Sequence, residues 1–472
     1  MKNKHPEYMT TPKERVSYWT YFVGQNIYYN LTAAFINTYL IMQGINPIKS
    51  GLVLLIVKIW DAINDPLFGL IFDKVKFRSR QKSLPWLRIA TLLIPIVTIL
   101  LFSIPAGLSE TAKLIWFGVA YVLWDTVYTL TDVPAYSMLT TMTDNLAERN
   151  TLLSVNRIFS GGGVVIYGVV LTWLISTDVG MSASWAVAIL SIFSALTMVP
   201  LCINCKERNY KPEEEPDSFT FREMFSYLGK NKYLLIYYAG YCFTDALKTS
   251  NAVTLFVSFY LFRDEMFNAL LTVLNMVPGV FAAMAMPYLL KKFDKFATLF
   301  WCNIINIVLG FIIYLMGPQN VAIFIVLTVI RCVPLSVVGI LNYMFTPDCA
   351  EYGQYKSGIS AKGITFAIQT FSVKITAAIS SALAMFLLGC FQWISVEAEN
   401  FAELEALGIQ QSSGALNGLW IVYALIPVIG MVISTFFYLF YKLNDKDVQI
   451  MAKCNSGEIS REEAEKLLSR KY

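Results

Sequence analysis

The sequence predicts an all-α integral membrane protein with about twelve spanning helices arranged as two bundles of six. Three observations point there. Of the 472 residues, 56% are hydrophobic and only 15% charged, with a mean hydropathy of +0.54. A soluble globular chain is roughly 45–50% apolar and 25% charged, and one of this length could not hide so much apolar surface from water. Apolar stretches of roughly 20 residues or more, the length a helix needs to cross a bilayer, recur along the whole chain. A polar segment rich in both signs of charge, CKERNYKPEEEPDSFTFREMFSYLGKNK at 205–232, divides those stretches evenly.

The first six stretches lie near 18–42, 51–73, 87–105, 113–140, 158–176 and 182–204, and the second six near 233–261, 267–290, 297–316, 320–345, 363–391 and 417–441. The expected organisation is a first bundle over 1–204, a linker over 205–232, a second bundle over 233–442 and a tail over 443–472. A polar leader, MKNKHPEYMTTPKERVS, precedes the first full-length apolar stretch, so that helix is expected to act as its own insertion signal. FDKVKFRSRQKSLPW after the second stretch and LKKFDKFATLFW after the eighth are similar, a trace of an internal parallel repeat.

Lysine and arginine in short loops set orientation. Lys74, Lys76, Arg78, Arg80 and Lys82 follow the second span, and the linker, the Lys291-Lys292-Lys295 turn and the tail are basic too. The alternate loops are poor in cations, and the one before the last span holds Glu397, Glu399, Glu403 and Glu405. Both termini are therefore expected to be cytoplasmic, in a cell (inner) membrane. In the tail, Ser460 and Glu463 fit a capping box on a short amphipathic helix, read as solvated. The net charge of +4 is spread over loops, with no basic stripe interleaved with aromatics, so nucleic acid is not the implied partner. Cys202 and Cys205 form a lone C-x-x-C without a second ligand pair, and His5 is the sole histidine, so they read as incidental helix-end thiols and no cofactor is implied.

Charges within the spans carry the functional signal. A charged side chain at the bilayer centre costs about 2.5–3.5 kcal/mol on insertion scales, so such groups face a cavity or a partner. In KIWDAINDP, Lys58, Asp61 and Asp65 stand at i, i+3 and i+7 on one helix face, with Asn64 beside them. In WDTVYTLTDVP, Asp125, Thr129 and Asp132 stand at i, i+4 and i+7. Pro66 and Pro134 follow the second acid of each pair, and each is expected to loosen its helix by removing a backbone donor. Carboxylates and freed carbonyls are the hard oxygen ligands of a small cation. Crowded acids would repel one another, and a bound Na⁺ or a shared proton would relieve them. Asp245 and Lys248 read as an ion pair on the seventh span, with Asn251 a neutral hydrogen-bonding candidate. Trp60 and Trp124 read as packing residues, and Tyr128 as either packing or a sugar-stacking ring. Gln369 and Lys374, in TFAIQTFSVKIT, read as functional, the lysine needing a counter-charge that the acids of the first half can supply.

KIWDAINDPLFGLIFDKVKFRSRQKSLPW, YTLTDVPAYSMLTTMTDNLAERNTLLSVNR and DCAEYGQYKSG with GITFAIQTFSVK resemble motifs of the glycoside-pentoside-hexuronide:cation symporters, a branch of the major facilitator superfamily. Order and spacing agree along nearly the whole chain. The resemblance implies the major facilitator fold and a cation site at Asp61, Asp65, Thr129 and Asp132, with Asn64 matching as well and Lys58 taking the place of a basic residue. It also implies that Asp132 belongs to the sugar site, that Arg157 matches the fifth-helix arginine and that Gln369 and Lys374 match an eleventh-helix pair. The chain departs from the pattern at Gln25-Asn26, where a Lys-Asp pair stands in the family's type member, and at Tyr136, which replaces a tryptophan. Asp125 is an added acid, and Ser360 and Lys362 stand where an Arg and a Glu occur.

The reading is a secondary active transporter, not an enzyme, that couples a cation, Na⁺ before H⁺, to movement of a sugar or glycoside by alternating access. Gln25, Asn26, Asp125, Asp132, Tyr136, Arg157, Gln369 and Lys374 are its expected substrate residues. Lys58, Arg78, Arg80, Asp144, Glu148, Arg149, Asp348 and Glu351 are expected to balance charge or gate the inner face. The expected partners are the sugar, the coupling cation and the bilayer, with the chain a monomer. Rival readings are a carrier of lysolipid or another amphiphile on the same fold and a sugar sensor that does not transport. An intramembrane aspartyl protease would need its two acids in Y-D and G-x-G-D settings, and neither occurs.

Overall fold

The computed structural model describes residues 8–75, 77, 81–208, 221–358 and 362–472. Two compact units are present. One gathers the described residues of Met1–Glu213 with Asn251–Val273 and Ser381–Leu419, and the other those of Glu214–Ser250 with Leu274–Ser380 and Trp420–Tyr472.

The chain begins with α1 (Pro12–Asn30), where Thr11 accepts from the Glu14 amide and the Glu14 carboxylate accepts from the Thr11 amide, a complete capping box. A π-helical stretch, Leu31–Phe35, joins it to α2 (Ile36–Met42). There follow α3 (Pro47–Lys74), α4 (Leu84–Leu101), α5 (Glu110–Met142) and α6 (Leu146–Ile166). A second π-helical stretch, Tyr167–Leu171, leads to α7 (Thr172–Leu174), and α8 (Ala183–Asn204) ends the first half. In this unit α1 packs against α6 and α8, α4 against α5 and α8, and α3 against α5. Close approach explains two glycines on these contacts. A Cβ on Gly24 would lie 2.3 Å from the Ser194 carbonyl, and one on Gly163 would lie 2.5 Å from that of Val23.

The second half repeats the plan. It comprises the amphipathic α9 (Phe221–Lys230), α10 (Lys232–Ala246), α11 (Ser250–Phe256), a π-helical stretch Val257–Leu261, α12 (Met266–Lys292), α13 (Lys295–Met316), α14 (Val321–Leu341), α15 (Phe345–Ser357) and α16 (Lys362–Cys390). After the short α17 (Phe401–Ala406), α18 (Ser413–Trp420) continues through the π-helical Ile421–Leu425 into α19 (Ile426–Tyr438). The tail forms α20 (Asp445–Asn455) and α21 (Arg461–Leu467).

Among the described residues nine helices are long and apolar enough to cross a membrane. The other stretches expected to span, near 18–42, 51–73 and 233–261, are helical too. They are the more polar ones, holding Gln25, Asn26, Lys58, Asp61, Asn64, Asp65 and Asp245. Leu92, Ile96, Leu196, Ile203, Phe281 and Leu315 are each more than half exposed, and apolar side chains at that density on helix faces suit hydrocarbon and not water.

Two findings qualify the expectations. α3 and α5 continue as helix through Pro66 and Pro134, each of which removes one backbone donor without ending its helix. The irregular backbone lies instead in the π-helical stretches. The tail is not simply solvated either. Val448, Met451 and Ala464 are buried in a tyrosine-rich core with Tyr233, Tyr237, Tyr352 and Tyr441, and the Tyr472 ring packs edge-on against Tyr233 and Tyr352. Asp447 anchors the tail, accepting from the Ser469 amide at 2.9 Å, the Ser469 hydroxyl at 2.5 Å and the Tyr472 hydroxyl at 2.6 Å. Burial works against the charge on Asp447, but these donors outweigh it and hold its pKa below the ordinary carboxylate value.

Candidate functional site

The helix faces proposed from spacing do meet. Asn64 on α3 reaches across to α5, where its Nδ2 donates to Thr129 Oγ1 at 2.8 Å and to Asp125 Oδ2 at 3.3 Å. Thr129 in turn donates to the Asp125 carbonyl at 3.1 Å. Asn64, Asp125 and Thr129 are all buried, so this tie lies among spanning segments where an unmade hydrogen bond is expensive. Lys58, one and a half turns earlier on α3, donates from Nζ to Ser381 Oγ at 3.1 Å, and Asp61 and Asp125 are the acids whose charges act on it. Asp61 is half-buried on the same face. The Asp65 backbone is helical, but its side chain lies outside the described residues.

A second polar group forms one turn further along α5. Gln25 on α1 donates from Nε2 to Asp132 Oδ1 at 2.5 Å, and Tyr21 donates to the Thr131 carbonyl at 2.8 Å. Asp125 thus joins Asn64 and Thr129, while Asp132 is held by α1. Asn26 turns its amide back to the Phe22 carbonyl at 2.9 Å, and the half-exposed Tyr136 ring lies 5.3 Å from that of Phe22. Trp124 is buried, donates to Thr98 Oγ1 at 3.0 Å and stacks on Tyr128 at 4.8 Å, as a packing residue does.

The remaining expected members are Arg157, Gln369, Lys374 and the Asp245–Lys248 pair. Arg157 is exposed on α6 and forms no hydrogen bond or ion pair among the described residues. Gln369 and Lys374 belong to the other unit, where Gln369 Oε1 is buried. The Asp245–Lys248 ion pair does not form. Asp245 accepts instead from the Tyr241 hydroxyl at 3.2 Å and the Thr376 hydroxyl at 3.0 Å. The reason is local: α10 ends at Ala246, so Lys248 leaves the helix face that the spacing assumed.

The charges grouped as gating residues mostly bind their own unit. Arg149 pairs with Asp144 at 3.6 Å and donates from Nε to the Thr143 carbonyl at 2.7 Å, closing the end of α5. Glu148, fully buried, accepts from the Met9 and Thr10 amides and from the Thr10 and Thr143 hydroxyls, with Arg15 at 4.0 Å. Its partners among the described residues are therefore those of the N-terminal segment and Thr143. Arg78 and Arg80 in that loop lie outside the described residues, as does Ser360. Glu207 accepts from the Lys82, Ser83 and Leu84 amides and holds the start of α4. In the other unit Asp445 accepts from the Lys295 amide at the start of α13, Lys295 also pairs with Asp348, and Glu351 accepts from Asn455 of the tail at 2.8 Å. Glu14 pairs with Arg208 at 2.8 Å; burial opposes its charge, yet Arg208 and Thr11 hold its pKa below the ordinary 4.5.

Chemically, α3 and α5 offer carboxylate and hydroxyl oxygens next to one ammonium, a set suited to a hard monovalent cation or a proton. Among the described residues no three His, Cys, Asp or Glu side chains converge as a metal cage. Sequence reasoning missed Ser381, the partner of Lys58, because a residue 323 positions away leaves no local signal.

The architecture is that of a major facilitator transporter. It aligns with the crystal structure of the nucleoside transporter NupG at a TM-score of 0.61 and 12% identity, covering 92% of this chain and 100% of that one. The family model described as MFS/sugar transport protein matches residues 18–445, and the chain belongs to that family, a multi-pass membrane transporter and not an enzyme. Relatives include the uncharacterized symporter YjmB of Bacillus subtilis (strain 168), 25% identical over 441 residues, with 92% of this chain and 93% of the relative covered. Another is the isoprimeverose transporter of Lactiplantibacillus pentosus, 25% identical over 440 residues, with 90% and 88% covered.

Proposed function

We propose that this protein moves a sugar or glycoside across the cell membrane by symport with a monovalent cation, Na⁺ in preference to H⁺. The observation that supports this most is the Asn64 bridge, which ties the acid-bearing faces of α3 and α5 into one polar group with Lys58 beside it. The cation ligands are Asp61, Asp65, Thr129 and Asp132, with Asn64 as the crosslink and Asp125 at its edge. Lys58 offsets one negative charge of the cluster, and the bound cation offsets another.

Binding of the cation draws α3 and α5 together. Asp132 is held by Gln25, so that ordering extends to α1 and presents Gln25, Asn26, Asp132 and Tyr136 to sugar hydroxyls, with Arg157, Gln369 and Lys374 completing the substrate site in the course of the cycle. The units then alternate access around it. Coupling of this kind is reciprocal: sugar raises cation affinity by the factor by which cation raises sugar affinity. The functional domains are residues 1–204, a linker 205–232, residues 233–442 and a tail 443–472, with both termini cytoplasmic and the chain acting as a monomer. The relatives named a symporter and an isoprimeverose transporter agree with the class.

Uptake of labelled pentosides, hexosides and hexuronides into proteoliposomes, driven in turn by a Na⁺ and an H⁺ gradient, tests the proposal. Gradient-dependent accumulation of at least one sugar is expected, with Na⁺ the stronger driver. Sugar entry that ignores both gradients, or accumulation of lysolipid and of no sugar, would overturn it.

A further inference from the structure

We infer that the second unit holds a binding site for an organic phosphate between α9 and the end of α15. A cavity of about 510 Å³ lies there. Arg222 and Lys230 of α9 and Lys356 of α15 stand around it, and no acid is among its described lining residues. All three cations are exposed, and neither Arg222 nor Lys230 has an ion-pair partner among the described residues. Lys356 donates to the Tyr472 main-chain oxygen at 2.8 Å, which occupies one of its three protons.

The floor is built, not incidental. Asn231 is buried and fixed from both ends of its amide: Oδ1 accepts from the Leu234 amide, and Nδ2 donates to the Cys349 carbonyl at 2.8 Å and to Tyr227 Oη at 3.5 Å. Tyr227 accepts that bond, so its own hydroxyl proton remains available to a ligand. Both groups reach the floor because α15 has a glycine there. A Cβ on Gly353 would lie 2.1 Å from Tyr227 Oη and 2.6 Å from Asn231 Nδ2.

Chemistry narrows the ligand. A guanidinium and two ammonium groups around one hydroxyl donor match an anion with several oxygens pointing in different directions, as phosphate has and a planar carboxylate does not. The volume falls within the roughly 300–1,000 Å³ of small-molecule sites and exceeds what inorganic phosphate fills, so the ligand is an organic phosphate. Two sources share that chemistry, a soluble sugar or glycerol phosphate and the headgroup of an anionic phospholipid. The amphipathic α9, which directly precedes the spanning α10, is placed where either could reach the cavity.

Binding of glycerol 3-phosphate to the full chain in nanodiscs of pure phosphatidylcholine, measured calorimetrically, is the test. A parallel arm uses discs containing phosphatidylglycerol, with co-purifying lipid counted by native mass spectrometry. The expected result is saturable binding that weakens as salt rises, with no competition from glycerol. Lys230→Gln/Lys356→Gln should weaken it about tenfold and Tyr227→Phe severalfold. A soluble ligand predicts equal affinity in both discs. A headgroup predicts that phosphatidylglycerol displaces the probe and is retained by the wild type but not by the double variant. Both cations are exposed, so the variants should keep the wild-type melting temperature and sugar uptake. Absence of both probe binding and phosphatidylglycerol retention, or binding and retention undiminished in the folded double variant, would overturn the inference.

Discussion

Each half of the molecule joins its second spanning helix to its fourth through an asparagine, and the two joints differ in what the asparagine meets. In the first half Asn64 of α3 donates to Thr129 and to the carboxylate of Asp125 on α5. In the second, Asn275 of α12 accepts from the thiol of Cys332 on α14 at 2.7 Å, and α12 has no acid anywhere along its length. The repeated architecture accounts for the joint, but only one half has charged it. A scaffold contact and the proposed coupling site thus occupy corresponding places, and what separates them is whether carboxylates accompany the amide.

Substitutions at the joints can break that contrast. Asn64→Ala should lower cation affinity at least about tenfold, read as the Na⁺ concentration giving half-maximal sugar uptake, because it removes the link from α3 to Thr129 and Asp125. Glu148→Ala should have the largest effect on stability in the first half, on the order of 3 kcal/mol in a detergent melt, since it strands the buried donors of Thr10 and Thr143. Gln25→Ala should weaken sugar binding severalfold and cation affinity by a smaller factor, because it removes the α1 donor of the shared ligand Asp132 and leaves Asp61, Asp65 and Thr129 in place. Asn275→Ala should change uptake less than about twofold and stability by about 1 kcal/mol, the value of a neutral hydrogen bond. An effect at Asn275 as large as that at Asn64 would erase the distinction between the halves.

The smallest effect concerns pH. Glu14 has a depressed pKa in the folded state, so the stability it supplies is complete above its unfolded value of 4.5 and is lost as pH falls through the folded value. A melting curve taken from neutral pH downward should therefore drop below that value. Glu14→Gln should flatten that part of the drop.

Much of the site could be read from the chain, for identifiable reasons. The spans announce themselves because hydrocarbon demands long apolar runs, and the facing acids because a helix repeats every 3.6 residues. Spacing set Asp125 and Thr129 on one face of α5, with Asn64 beside the spaced acids of α3, and these three side chains do meet. What was not recoverable depends on tertiary contact or on where a helix ends. Ser381 reaches Lys58 from a distant segment, Glu148 gathers donors from Met9 and Thr10, and the turn after Ala246 takes Lys248 away from Asp245. The π-helical stretches at Leu31–Phe35 and Val257–Leu261 follow no hydropathy signal, whereas the prolines that did stand out, Pro66 and Pro134, leave their helices continuous. Packing of the tail on Tyr233 and Tyr352 was hidden because a short amphipathic helix looks the same whether its apolar face meets solvent or protein.

Sugar binding titrated at rising Na⁺, in the wild type and in Asp61→Asn, addresses the coupling between the acid cluster and the substrate most directly. If the cluster on α3 and α5 is the cation site, Na⁺ should tighten sugar binding by about tenfold or more in the wild type, and the variant should bind sugar with a weak affinity that no longer responds to Na⁺. A variant whose sugar affinity still rises with Na⁺ as steeply as in the wild type would contradict it.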